Sequence, residues 1–484
     1  MPPISLRARH LIKRDPVAMR RIASETLSFK RLFSTAVCTI TFLVAMALAL
    51  QAQAARLGDN VTTFKLDNGM EVVVIPDRRA PVITHMVWYR VGAADEPPSQ
   101  SGVAHFFEHL MFKGTDKLAA GEFSKIVARN GGQDNAFTSQ DYTGYYQRVA
   151  RDRLSLVMEM EANRMTNLKL TPEEVLPERD VVLEERRSRV DNNPGSRLNE
   201  QMNAAFYLSH PYGNPVIGWE HEIKQLNREE AIAFYRLYYS PNNAILIVAG
   251  DVEEQEVRVL AEKFYGPIPA QPDLKPRSRP QEPPHQAARR VIMHDARVES
   301  PRFRRMYLTP SYRTAEPGEG AALEVLAQIL GGGTTSRLYR QLVVEQKVAL
   351  LAGAWFSGDF LDSGSFGLYG APAPGTDETV LEASMEAAIT KIIDAGVTEE
   401  ELTDAKNLLI ADTIYAIDSQ SQLARIFGVA LTSGQTVEDV QQWPERIENV
   451  TREQVQAVAQ KYLKTERSVT GLLLSAETES ETEQ

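Results

Sequence analysis

The chain has 484 residues, 43% hydrophobic and 24% charged, with one cysteine and a formal net charge of −11. That balance excludes a collagen-like, wholly disordered or polytopic membrane protein and fits a globular protein of a few domains. Residues 1–54 carry a surplus of six positive charges, which leaves −17 on the remainder; so acidic a body repels phosphate backbones, no basic patch relieves it, and no nucleic-acid partner is expected.

The basic leader runs into an apolar stretch, Ala36–Leu50, and closes on Ala52-Gln53-Ala54. A basic head, an apolar run and small residues at its end are the pattern of a secretory signal. A signal anchor is the alternative over 1–54, although a spanning helix usually needs about 20 apolar residues. Met19, just before Arg20-Arg21, would as a start give a leader of ordinary length. The expected location is the periplasm, with an inner-membrane anchor facing it if the signal stays uncleaved. Cys38 lies in the apolar stretch, so the cleaved chain has no thiol for disulfides, metal binding or nucleophilic attack.

Past the leader, Phe64–Pro76 reads as a hairpin turning at Asp67-Asn68-Gly69, and 81–91 as a second strand. Helices are expected from about Gly102 and Gly121. The Thr- and aromatic-rich stretch 135–149 follows as strands joined by a tight turn. Helices over 151–167, 172–190, 197–206 and 228–239 lead to a closing strand, Ala244–Gly250. Seven prolines between 266 and 284 mark an interdomain linker, bounded as 266–287. Behind it the order of elements recurs: a strand near 303–308, a helix over 320–330, a Gly331-Gly332-Gly333 stretch read as a flexible break, a helix from 336, strands through 349–368, a helix over 377–395 and a last helix and strand over 452–474. The pattern predicts two related domains, 55–265 and 288–474, and a disordered acidic tail at 475–484.

The chemistry-bearing stretch is GVAHFFEHLMFKGT, 102–115. On a helix, His105 and His109 lie one turn apart on one face with Glu108 beside them, a spacing that lets two imidazoles share a divalent ion while the carboxylate works on water. A hydrolytic zinc site needs a third protein ligand and an open position. In ERDVVLEE, 178–185, Glu185 falls two turns after Glu178 and within about 20° of the same face, whereas Glu184 points about 120° away. Glu185 is therefore the candidate ligand and Glu178 its neighbour. The competing reading is a solvated charge run, because Arg179, Arg186, Arg187 and Arg189 surround these acids. His210 in its turn is read as structural, His85 lies in a strand, and His221, His285 and His294 lack metal spacing.

These residues resemble the inverted-zincin metallopeptidases of the insulinase (pitrilysin, M16) type, in the branch that includes mitochondrial processing peptidase and bacterial two-domain relatives. The resemblance rests on 102–115, on Asn135-Ala136-Phe137-Thr138 with Tyr145-Tyr146, on Glu178-Arg179 followed by Glu185, and on Tyr239-Ser240-Pro241-Asn242-Asn243. It implies an α+β fold of two repeated domains, each a mainly antiparallel sheet packed with helices, together forming half of a clamshell. It also implies Zn2+ on His105, His109 and Glu185, Glu108 as general base and Glu178 in a supporting catalytic role. A peptide substrate is expected to add as a strand along Asn135, Ala136, Phe137 and Thr138, with Tyr145 nearby.

One departure stands out. Where complete relatives place an arginine and, seven residues on, a tyrosine that grip the substrate, this chain has Val343 and Leu350. The expected function is therefore that of a zinc endopeptidase subunit in a heterodimer whose homologous partner lacks the zinc motif and supplies the Arg/Tyr pair. A homodimer and a non-catalytic scaffold or peptide-binding subunit are the alternatives.

Overall fold

The computed structural model describes residues 57–58 and 60–476; the leader with Cys38 and the tail from 477 onward lie outside the described residues. Among the described residues no helix is long and apolar enough to cross a membrane.

Leu66 N–H donates to Met70 O and Gly69 N–H to Leu66 O around Asp67-Asn68-Gly69, and this turn pairs β1 (Thr62–Lys65) with β2 (Glu71–Pro76). With β3 (Val82–Tyr89), β4 (Gln133–Thr138), β5 (Thr143–Ala150) and β6 (Ala244–Gly250) they form a sheet ordered β1-β2-β6-β3-β5-β4. Only β2 and β6 are parallel. The second sheet comprises β7 (Arg289–Asp295), β8 (Arg302–Pro310), β9 (Ala349–Ser357), β10 (Ser363–Pro372) and β11 (Ser468–Ser475), ordered β7-β11-β8-β10-β9. There only β7 and β11 are parallel. Setting β7 to β11 on β2, β3, β4, β5 and β6 superposes the two orders, so the recurrence along the chain is a repeat of topology, with β1 added at one edge.

The first half carries α1 (Val103–Leu110), α2 (Glu122–Arg129), α3 (Leu154–Thr166), α4 (Pro172–Arg186), α5 (Pro194–Phe206), α6 (Arg228–Tyr238) and α7 (Glu254–Phe264). The second half carries α8 (Glu319–Gly331), α9 (Glu378–Ala395), α10 (Glu399–Ile417), α11 (Gln420–Thr432) and α12 (Arg452–Tyr462). Strand residues alternate between faces. Val72 and Val74 of β2 pack with Phe106 and Phe107 of α1 and Val157 of α3, whereas Val73 and Ile75 join Met86, Trp88, Ile245 and Ile247 on the other face. That other face is covered by Leu423, Ala424 and Phe427 of α11, a helix of the second half. The exchange is reciprocal: Leu198, Met202 and Phe206 of α5, in the first half, cover Met306, Val469 and Leu473 of the second sheet. Both sheets are thus covered on two faces, which explains why β2 and β6 read as nearly unbroken apolar runs.

The glycines at 331–333 are not a flexible break. Gly331 ends α8, and a Cβ there would run into the backbone of Gly353-Ala354 on β9, so its role is close helix–strand approach; only Gly333, at φ 106°, uses a left-handed conformation. β11 extends through Ser475, one residue into the stretch read as tail.

The proline-dense stretch 266–287 holds no helix or strand, yet it is a pinned strap rather than a loose tether. Arg279 is buried between Asp95 (2.8 Å), Asp141 (2.5 Å) and Asp362 (3.1 Å), the first two from the first half and the third from the second. Tyr212 donates to Asp141 at 2.8 Å, and Arg277 donates to the carbonyls of Asp141 and Thr432. His210 sits beside Asp362 at 3.1 Å and accepts the Tyr212 N–H. Removing one partner of a buried charge cluster leaves the others unpaired. Arg279→Met is therefore expected to cost about 3–5 kcal/mol in urea unfolding; an unchanged midpoint would show that the strap does not hold the halves together.

Candidate metal centre

α1 starts where the chain must turn sharply. Gly102 takes φ 89°, and a Cβ there would lie 2.6 Å from the Ile217 carbonyl oxygen, so only glycine fits. The carboxylate of Glu96 accepts the N–H groups of Gly102 and Ala104, each at 2.9 Å, and satisfies donors the helix start leaves open. Burial outweighs those two donors and pushes the Glu96 carboxyl well above its usual range. Phe107 stacks on Tyr235 and meets Tyr239 edge-on, locking one side of α1 to the core. His105, Glu108 and His109 occupy the opposite side.

α4 begins with Thr171 and Glu174 in a reciprocal cap and Pro172 in its first turn. Val175 and Val182 face the core, seven residues apart, and Glu178 and Glu185 repeat that spacing on the side toward α1. Glu184 is exposed and pairs with Arg187. The charge-run reading therefore holds for Glu184 but not for the two acids turned inward.

His105 Nε2 lies 3.7 Å and His109 Nε2 3.2 Å from the same oxygen of Glu185, Oε2. The other Glu185 oxygen accepts Arg189 at 2.7 Å. One donor atom from each of His105, His109 and Glu185 lies within 4.8 Å of the others, and among the described residues this is the group of His, Cys, Asp and Glu side chains so arranged. His109 Nδ1 meets Glu178 Oε1 at 2.9 Å, and Lys113 binds the other Glu178 oxygen. That contact assigns the His109 proton to Nδ1 and leaves Nε2 as a lone-pair donor aimed at Glu185. Burial, then the neighbouring His109 and Arg189, push the His105 imidazole down to about 3, so it is neutral at working pH. Burial opposes a charge on His109 too, but Glu178 and Glu185 outweigh it and raise its pKa. The His109 bond draws the Glu178 carboxyl below its usual value against the effect of burial. Two neutral-capable imidazoles and a carboxylate oxygen converging at one point fit a zinc ion.

Glu108 projects beside this group. Its Oε2 accepts the hydroxyl of Thr138 at 2.5 Å, and burial, only partly offset by that bond, raises its pKa. Thr138 thus has a role that spacing on α1 alone could not reveal, since it reaches Glu108 from the end of β4. Glu96, Lys113 and Arg189 were likewise invisible as contributors, being joined to the site only by the packing of separate elements.

β4 is the outer strand of its sheet, so Asn135, Ala136, Phe137 and Thr138 form an edge with one side unpaired. The Ala136 N–H donates to its neighbour's side-chain oxygen, Asn135 Oδ1, at 2.9 Å. Tyr145 does not belong to that surface. It is 0% exposed, its hydroxyl meets that of Tyr239 at 2.9 Å, and the Arg164 guanidinium covers its ring at 4.7 Å. The alternation of β5 turns Tyr145 inward, so it supports the sheet from beneath and cannot touch a peptide.

The sequence model described as Insulinase (Peptidase family M16) matches residues 71–220, and that described as Peptidase M16 inactive domain matches 225–409. A zinc protease of Helicobacter pylori, PqqE, is 32% identical over 438 residues, 89% of this chain and 96% of that protein. The chain belongs to peptidase family M16. An uncharacterized zinc protease of Mycobacterium leprae is 31% identical over 82% of this chain and 88% of its own length. The crystal structure of a protease from Helicobacter pylori matches with a TM-score of 0.80 at 32% identity, covering 86% of this chain and 99% of that one. The second family match begins at residue 225, just ahead of α6 and of the strand β6, both of which still belong to the first half.

Because Glu178 holds the His109 ring, Glu178→Gln should weaken zinc binding about 10–100-fold without removing a ligand. Titration against a chromogenic chelator reads this directly, and unchanged affinity would assign Glu178 no part in the site.

Proposed function

We propose that the chain is a zinc-dependent endopeptidase that cleaves peptides or unfolded polypeptides in an exported compartment, the periplasm. The observation that carries this reading is Glu108, held by Thr138 beside the donors of His105, His109 and Glu185 at the end of an open sheet edge.

His105, His109 and Glu185 would hold the metal, leaving room for water and substrate. Zinc, when bound there, supplies a Lewis acid that acidifies water and polarises a peptide carbonyl. Glu108 accepts the proton of the attacking water and delivers it to the leaving amine. The Thr138 hydroxyl occupies one Glu108 oxygen and leaves the other for these transfers. The raised pKa of Glu108 makes it a better proton acceptor than an exposed carboxylate. A peptide laid along Asn135–Thr138 is bound through its main chain, so affinity comes with little demand on side chains. Glu108→Gln keeps the shape of the site and removes the base. Zinc content measured by elemental analysis is expected to stay at one per chain while peptide hydrolysis falls below detection; retained turnover would reject the assignment.

The second half lacks polar groups where the resemblance leads one to look for them. Val343 is partly buried against the second core, and Leu350, on the edge strand β9, is 51% exposed. Neither side chain can donate a hydrogen bond. We infer a heterodimer in which a homologous subunit without the zinc motif supplies an Arg/Tyr pair. Hydrolysis of a fluorogenic peptide should be weak for this chain alone and rise at least tenfold with that homologue present; full activity from the purified chain would overturn the heterodimer.

A further inference from the structure

The alternation of β8 sends Phe303, Arg305 and Tyr307 toward one face and Arg302, Arg304 and Met306 toward the face covered by α5. Arg305 is fully employed, donating to Thr470 at 2.9 Å and Glu386 at 2.7 Å and pairing with Glu382. Arg304 is not: among the described residues no carboxylate pairs with it, and the like charge of Arg302 lies two positions along the same strand face. Burial and then the like charge of Arg302 act together to lower the pKa of Arg304. An arginine half withdrawn from water and repelled by a second one needs an anion to be at ease.

The surroundings are built to present it. Tyr369 stands directly opposite Arg304 in the β10–β8 register, and Trp355 lies over Gly367. The Arg304 guanidinium sits 5.6 Å from the Trp355 ring, which lies 6.0 Å from that of Tyr369. Aromatic faces hold the plane of the guanidinium and leave its N–H groups directed elsewhere. These three side chains floor a cavity of about 550 Å³, walled by Asn199 and Asn203 of α5 and bounded by Gln140. No aspartate or glutamate lines it, in a chain whose body carries a net charge of −17. An adjoining cavity of about 550 Å³ shares Arg304 and Tyr369 and adds Arg297 and Arg302 against a single Glu299.

The cavity borders the proposed substrate edge through Gln140 in its wall. Gln140 follows Thr138, the residue that holds Glu108, by two positions, a reach of at most about 7 Å. A peptide paired with β4 and extending past Thr138 would run toward the cavity wall that Gln140 forms.

We propose that this cavity is a subsite for a carboxylate of the peptide substrate, held by Arg304 on its Trp355–Tyr369 floor with side-chain amides of Asn199 and Asn203 alongside. The proposal rests on the peptidase reading above. An acidic side chain and the peptide's C-terminus both offer that carboxylate, and the two differ in whether amidation abolishes the contact.

The test uses the full chain carrying Glu108→Gln, loaded with zinc, and fluorescence anisotropy with one peptide in three forms: neutral and amidated, neutral with a free C-terminus, and amidated with glutamate substituted at successive positions. At least one carboxylate-bearing form should bind about tenfold more tightly than the neutral amidated peptide, the range of a charge-assisted hydrogen bond. Arg304→Gln should erase that preference and leave the neutral peptide's affinity unchanged, while Arg304→Lys retains part of it, which separates lost charge from lost fold. A preference for the free C-terminus or for an internal glutamate identifies the source, and both support the subsite. Equal affinities for all three forms, equal weakening of all three by Arg304→Gln, or no binding of any peptide would overturn it. Because binding is read without turnover, a carboxylate preference here, with no hydrolysis by the chain that keeps Glu108 when its homologue is present, would keep the subsite and reject the peptidase reading; hydrolysis by that pair without the preference would do the reverse.

Discussion

His109 has two ring nitrogens and stands between two carboxylates, and the division of labour between them organises the centre. Glu178 accepts the Nδ1–H of His109, so in the neutral ring Nε2 is the lone pair turned toward Glu185 and free to bind a metal. Once that ring is fixed, the one-turn spacing on α1 brings His105 to the same Glu185 oxygen. Glu108 is left on the adjacent side with Thr138 as its partner. The arrangement depends on α1 and α4 meeting at a set rotation. Glu96 sets the start of α1, and the Arg186–Glu200 pair at 2.7 Å ties the end of α4 to α5. A rotation of either helix by one residue, about 100°, would scatter the donors.

That rigidity is not a property of the first half alone. α11 from the second half covers the back of the sheet whose edge is β4, and α5 from the first half covers the second sheet in return. Gly428 and Gly471 allow these approaches, since a Cβ at the first would run into Trp88 and at the second into Met202. The Arg279 strap closes the same seam with charge. A half carrying no metal-binding trio among the described residues therefore still acts on the site, by burying the sheet that carries its substrate edge.

What could be read from the residues follows from how local the information is. The strands, α1 and the His105/His109/Glu108 face are set by periodicities over a few residues, and the Glu178/Glu185 pairing needs only the geometry of a helix. Partners brought together by packing were out of reach: Thr138 on Glu108 spans 30 positions, and Glu96 caps α1 from outside any helix. Tyr145 was misjudged for a related reason. A tyrosine beside an edge strand can face either side, and the parity of β5 against the core places it inward, under Arg164. The triple glycine looked like punctuation because a close backbone approach, as at Gly331 on β9, leaves the same mark in a sequence as a loop.

The two arginines of β8 show how one strand divides its charges between stability and recognition. Arg305 faces the helices, where Thr470, Glu382 and Glu386 neutralise it, and so contributes to packing. Arg304, one residue earlier, faces the seam between the halves, where the cavity it floors with Trp355 offers amides and aromatic rings but no acid. Placing Glu or Asp on α5 opposite Arg304 would have been the stabilising choice, and α5 carries Asn199 and Asn203 there instead. Amides solvate a carboxylate without competing with it for the guanidinium. The reciprocal packing of the halves thus leaves, between two closed cores, one seam with an unpaired cation that a peptide leaving the β4 edge would reach.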